Sequence, residues 1–194
     1  MIFNDVELLD FTGPFEVFSV ANRFTESPAF NVVTVAEKPD PILTRGSLSI
    51  NPHHCLSDCP QPDLLLVPGG QGTRREMHNT ALIDWIKQAS ANAERILSVC
   101  TGALLLAKAG LLDGLEATTH HGSFDLLRQV APKTKVHENR RFVDNGRVIC
   151  SAGIAAGIDM SLHVVGRLLG VEVAVKTAKQ MEYPCSPFSE AGVG

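Results

Sequence analysis

The chain lacks an ordered cysteine framework. Its five cysteines stand at 55, 59, 100, 150 and 185, an odd number with no C-x-x-C among them. That argues against a scaffold of paired disulfides and reads as reduced thiols in a cytoplasmic protein. No apolar run reaches membrane-spanning length, so no membrane span is expected. The opening "MIFNDVELLDF" carries three acids and no basic n-region, so no signal peptide is expected there. Positive charge is also short: 17 Lys and Arg face 21 Asp and Glu, a net charge of -4. That removes the electrostatic reason to expect nucleic acid. No repeat, low-complexity tract or linker breaks the 194 residues, so one domain over 1–194 is predicted.

What is present is a core and an alternation. Apolar residues make up 44%, enough for a globular interior without disulfides or structural metal. "FNVVTVAE", "SLSI", "RILSVC" and "ATTHHG" read as strands, and "DLLLVPGG" as a strand buried on both faces that ends in a glycine loop. "ALIDWIKQASAN", "TGALLLAKAGLLDG", "SFDLLRQVAP", "GIDMSLHVVGRLLG" and "VEVAVKTAKQMEY" read as helices. Gly110 and Gly114 stop the second of these, and Pro132 halts the third. Asn145-Gly146 in "RFVDNGRVICSAG" is a hairpin signal. The alternation predicts an α/β fold with a mostly parallel sheet. Sites in such sheets lie beyond the carboxyl ends of the strands. The loops "VPGGQGT", "SVCTGA" and "CSAGIAAG" leave such ends.

Cys100 sits where a buried strand meets a helix, as a nucleophile does on an elbow. A helix N-terminus after it would favour thiolate and lower its pKa below about 8.5. The competing reading is a small buried hydrophobe. Gly69, Gly70 and Gly72 let a backbone approach a ligand closely, and the Gly70 and Thr101 amides are candidate oxyanion donors. In "LLDFTGPFEVF", Thr12 suits a cap and Pro14 a first helical turn. Asp10 before them and Glu16 after them are rival acids for proton transfer, and position alone leaves both open. "HHCLSDC" reads as a turn with a short helix rather than a metal site, because it lacks a second ligand pair. His163, in an apolar helix, reads as core or interface.

Taken together, "LLDFTGPFEVF", "LLLVPGGQGT", "SVCTGALLLAKAGLLDG", "ATTHHGSFDLL" and "SAGIAAGID" resemble the ThiJ/PfpI superfamily over nearly the whole chain. The resemblance is closest to its isonitrile hydratase-like branch and extends to sensor domains of AraC-type transcription regulators. It implies a flavodoxin-like three-layer α/β/α sandwich, a homodimer, and no metal or organic cofactor. It puts the nucleophile on Cys100, the acidic partner on Asp10 rather than Glu16, and a hydrogen-bonding threonine on Thr101. The histidine that follows the cysteine in the peptidase-like branch is missing, which argues against a Cys-His dyad of that kind.

Two departures stand out. The family's first strand should precede "NDVELLDF", where only Met1 to Phe3 remain, so strand one is truncated or very short. His121 stands where hydratases often have tryptophan, which bears on the pocket. His120 beside it is a candidate ligand-facing imidazole, with a satisfied structural histidine as the other reading. The leading functional expectation is hydration of a small isonitrile to a formamide through a thioimidate. Amide hydrolysis, glyoxal chemistry, and ligand or redox sensing are the alternatives. A full AraC-type regulator needs a helix-turn-helix module after this domain, so DNA binding by this chain is not expected.

Overall fold

The computed structural model describes residues 1–184; Cys185 and the rest of "CSPFSEAGVG" lie outside the described residues. Its strands are β1 (Val35–Ala36), β2 (Ile42–Leu43), β3 (Ser49–Ile50), β4 (His54–Cys55), β5 (Leu64–Val67), β6 (Arg95–Val99), β7 (Glu116–Ala117), β8 (Lys135–Val136), β9 (Phe142–Asp144) and β10 (Val148–Ser151). The helices are α1 (Leu8–Ala21), α2 (Thr73–Glu76), α3 (Thr80–Asn92), α4 (Gly102–Lys108), α5 (Phe124–Val130), α6 (Ala156–Leu169) and α7 (Val171–Gln180).

The central sheet runs β5-β6-β10-β9, parallel except for the last pair. The antiparallel β9–β10 pair is the predicted hairpin; Gly146 takes the positive φ of 85° that its turn requires. Side-chain alternation divides the interior in two. Leu65, Val67, Ile96, Val148 and Cys150 face a core shared with α3, α4 and α5. Leu97, Val99 and Ile149 face the other core, with Val17 and Phe18 of α1, Met160 of α6 and Ala174 of α7. This is a three-layer α/β/α sandwich, and it explains why β5 is apolar throughout and why β6 is buried from Ile96 to Val99.

Several expected elements are shorter than predicted. In "FNVVTVAE" only Val35–Ala36 is strand; Thr34 bonds instead to the His53 ring. "ATTHHG" yields strand only at Ala117, because Thr119 turns its hydroxyl to a backbone carbonyl and His120 caps a 3-10 turn. "HHCLSDC" is the two-residue β4 and a turn, without the short helix; Asp58 Oδ1 accepts from the Cys55 N–H at 2.7 Å. Met1–Phe3 are buried: the Met1 amine donates to Leu66 O at 2.8 Å and the Ile2 N–H to Val35 O at 2.7 Å. They bond to residues of β1 and β5 without forming a strand of their own.

The largest correction concerns α1. It begins at Leu8, with Glu7 as the capping residue, so Thr12 is no cap and Pro14 is no first-turn residue. Thr12 Oγ1 donates to Leu8 O at 2.8 Å inside the helix. Proline's missing N–H forfeits only the bond to the Asp10 carbonyl. Phe11, Val17 and Phe18 reach the core from the longer helix, which offsets that loss.

Candidate active site

Three loops meet at the carboxyl ends of β5, β6 and β10. The Glu7 N–H donates to Gly69 O at 3.0 Å, and Val6 bridges Gly70, so the start of α1 is tied to the glycine loop. This carries Asp10 to the site. Its Oδ2 accepts the Gly69 N–H at 3.0 Å, and it is fully buried. Oδ1 is buried too and has no partner among the described residues. Glu16, the rival acid, is exposed on the same helix.

Cys100 follows β6 with φ +57°, the left-handed conformation that aims an elbow side chain out of the strand line. Its N–H is held by Ser151 O and Ala152 O, both at 3.2 Å, and its carbonyl by Thr119 Oγ1 at 2.7 Å. The turn also needs Gly102: a Cβ there would fall 2.0 Å from Val67 O.

The thiol and the Asp10 carboxyl act on each other. Burial raises Asp10 to about 7, against the opposing pull of the Gly69 N–H and the Cys100 thiol. Burial likewise pushes Cys100 up to about 12, helped by the Asp10 charge and opposed by the Thr101 and Ile154 N–H groups. The expectation of a depressed thiol is therefore reversed: the positive end of α4, a helix of only 7 residues, does not outweigh desolvation. The pair titrates as one unit that keeps a single proton above about pH 7.

The oxyanion expectation also changes. The Gly70 N–H is taken up by Thr101 Oγ1 at 3.0 Å, so it does not face the sulfur. The amides that favour charge on Cys100 are those of Thr101 and Ile154. Ile154 lies in the loop "CSAGIAAG" that the sequence singled out, but no residue type marks a backbone amide. Gly69 is required by contact: a Cβ there would lie 2.5 Å from Thr101 N and 2.9 Å from Asp10 Oδ2. Gly72 packs on the N-terminal segment instead, where its N–H donates to Asp5 O at 3.1 Å.

Thr101 is buried in a hydroxyl network, 3.1 Å from Thr73 Oγ1 and 3.2 Å from Gly70 O. Sequence reasoning had no signal for Thr73. His120 lies against Gly153, the neighbour of Ile154, with its Cδ2 only 2.5 Å from where a Cβ on Gly153 would stand. Its ring is lowered below its ordinary pKa by burial and then by His121 and Arg74, and its Nδ1 accepts the Gly122 N–H at 3.2 Å. His121 is exposed beside it, ring centroids 4.3 Å apart. His163 is remote from the site; Nε2 bonds Asp144 Oδ2 at 2.8 Å. Cys150 is buried within the sheet. A separate cavity of about 540 Å³, walled by Phe11, Phe15, Phe18 and Trp85, contains none of the predicted site residues.

The DJ-1/PfpI family profile matches residues 1–167. The chain belongs to the DJ-1/PfpI family. It is 35% identical to an isonitrile hydratase of Pseudomonas putida, over 97% of this chain and 79% of that protein. It is 30% identical to the HTH-type transcriptional regulator CdhR of Pseudomonas aeruginosa, over 89% of this chain but only 51% of the regulator. A ThiJ/PfpI family protein from Pseudomonas syringae superposes with a TM-score of 0.85 at 28% identity, covering 98% of this chain and 76% of that one. Drosophila melanogaster DJ-1beta shares the fold, with a TM-score of 0.79 at 21% identity over 95% and 96% of the two chains. The resemblance in the sequence and this membership agree, and the fold expected from it is the fold observed.

Proposed function

We propose that this DJ-1/PfpI protein is a cysteine-dependent hydratase of small isonitriles, with Cys100 as nucleophile and Asp10 as proton carrier. The observation that carries the reading is the buried Asp10 carboxyl beside an elbow thiol, with one proton between them. The 35% identity with an isonitrile hydratase supports the substrate class.

The chemistry follows from that proton. Sγ bonds to the terminal carbon of R–N≡C while Asp10 takes the thiol proton and passes it to the same carbon. The product is a thioimidate, R–N=CH–S. Water then adds to that carbon, nitrogen gains a proton, the C–S bond breaks and the thiol recovers its proton. R–NH–CHO leaves. The Thr101 and Ile154 amides stabilise charge on sulfur, and the Thr101 hydroxyl fixes the glycine loop around Asp10. The mechanism calls on no cofactor. It needs a free thiol, which suits the reducing cytoplasm. We assign a homodimer on the resemblance, to be read by sedimentation as about twice the 20.9 kDa chain mass.

The test is turnover of a small isonitrile panel by the purified protein, followed by formamide release, with glyoxal and amide substrates alongside. Formamide release that Cys100→Ala abolishes is expected. No release from any isonitrile overturns the reading. The likeness to CdhR supports a second one, a ligand-sensing domain. It predicts saturable ligand binding without product, and binding that survives Cys100→Ala.

A further inference from the structure

Among the described residues, one cation at the rim of this site has no counter-charge. Arg74, exposed on α2, sends Nη1 to Gly70 O (3.3 Å) and Thr73 Oγ1 (3.2 Å), and Nη2 to Ser123 Oγ (2.9 Å). All three acceptors are neutral, and among the described residues Arg74 makes no ion pair. Among the described residues, these bonds leave its Nε–H and one Nη2–H without an acceptor. Its neighbours contrast with it. Arg45 is paired with Glu7 at 3.0 Å, and Arg75 with Asp5 at 3.1 Å.

Arg74 is also fixed in place at the chemistry. Gly70 and Thr73, which it holds from outside, are the two residues that bond Thr101 Oγ1 from inside, and Thr101 adjoins Cys100. Ser123 anchors it to the turn that carries His120 and His121. Its charge is felt at His120, whose ring lies over Gly153 next to the Ile154 amide. The Glu7 carboxylate acts on the same ring, but Arg45 already neutralises it.

We propose that the site selects an anionic substrate, a small isonitrile bearing a carboxylate, and that the free edge of the Arg74 guanidinium receives that carboxylate. Guanidinium and carboxylate match as a planar fork, so the residue is a specificity determinant rather than a generic surface charge. The substrate chemistry rests on the hydratase reading; the anion site does not.

The test therefore uses two pairs of probes. Iodoacetate and iodoacetamide both transfer a carbon to the Cys100 thiolate and release iodide; one carries a carboxylate and the other is neutral. Rates at the Cys100 peptide are read by mass spectrometry in the wild type, Arg74→Gln and Arg74→Lys. The ratio of iodoacetate to iodoacetamide rates should fall about tenfold or more in Arg74→Gln, as expected for loss of a charge-assisted hydrogen bond. Arg74→Lys should restore much of it, and high salt should weaken it in the wild type. An equal fall in both rates in Arg74→Gln would make Arg74 a loop clamp only and overturn the proposal. The second pair is an ω-isocyano carboxylate and its methyl ester, compared by kcat/KM. A preference for the acid that Arg74→Gln removes supports the substrate assignment, and no preference refutes it. If neither isonitrile turns over while the iodoacetate ratio behaves as expected, the anion site stands and the hydratase reading falls.

Discussion

Replacing Asp10 with Asn separates its chemical role from its structural cost. Asp10 is fully buried, its pKa is raised from 3.8 to about 7, and burial is the main cause. The linkage is destabilising. Between pH 3.8 and about 7 the folded protein holds a proton that the unfolded chain has released, so stability falls as pH rises through that window. Above the folded value the loss is complete and the slope vanishes. From pH 5 to pH 8 this one group removes about 3 kcal/mol. Asn has no proton to release, so Asp10→Asn should escape that loss. Its amide leaves an unbonded donor where Oδ1 now stands, a fixed cost of about 1–3 kcal/mol that does not change with pH. The fixed cost cancels when the two proteins are compared at both pH values. Urea unfolding at pH 5 and pH 8 should show the variant gaining about 3 kcal/mol on the wild type between the two. Formamide release should meanwhile fall by about 10²–10⁴-fold, the usual worth of a positioned acid. Glu16→Gln, a change at an exposed position of the same helix, should leave both measurements unchanged. Equal pH slopes for Asp10→Asn and wild type would refute the buried-proton argument. Full activity in the variant would refute the catalytic one.

Other outcomes follow from the same pair. Because Cys100 is raised to about 12, alkylation at pH 6 should be slow at Cys100 and should accelerate steadily towards alkaline pH. Asp10→Asn should speed it at pH 8 by removing a charge that holds the thiol up; a Cys100 that labels fastest in mild acid would contradict both statements. The pH profile of kcat/KM should rise through about 7 as the pair reaches its one-proton form, and a fall across that range would reverse the assignment. Gly69→Ala should abolish turnover, since its Cβ would press on Thr101 N and Asp10 Oδ2; an active, wild-type-like variant would show that the glycine loop is not held as described.

The sequence by itself determined the layer order and the place of the candidate site. The continuous apolar run at β5, with Ile96, Leu97 and Val99 of β6, calls for burial on both faces, and helices on each side of a parallel sheet supply it. Asn145-Gly146 set the hairpin, and the strand-to-helix junction at Cys100 set the elbow. These are local signals, carried by residues adjacent in the chain. What the tertiary structure decided depends on groups that meet from far apart. Asp10 reaches Gly69 across 59 residues, and Gly70 reaches Thr101 across 31. No spacing rule reveals which amides are already bonded, so the sequence offers Gly70 as an oxyanion donor although Thr101 Oγ1 occupies its N–H. Ile154 was hidden because a backbone amide has no sequence signature. The direction of the Cys100 shift was hidden for a related reason. A helix N-terminus can be read from sequence, but desolvation is a property of everything packed around the sulfur, and here it is the larger effect.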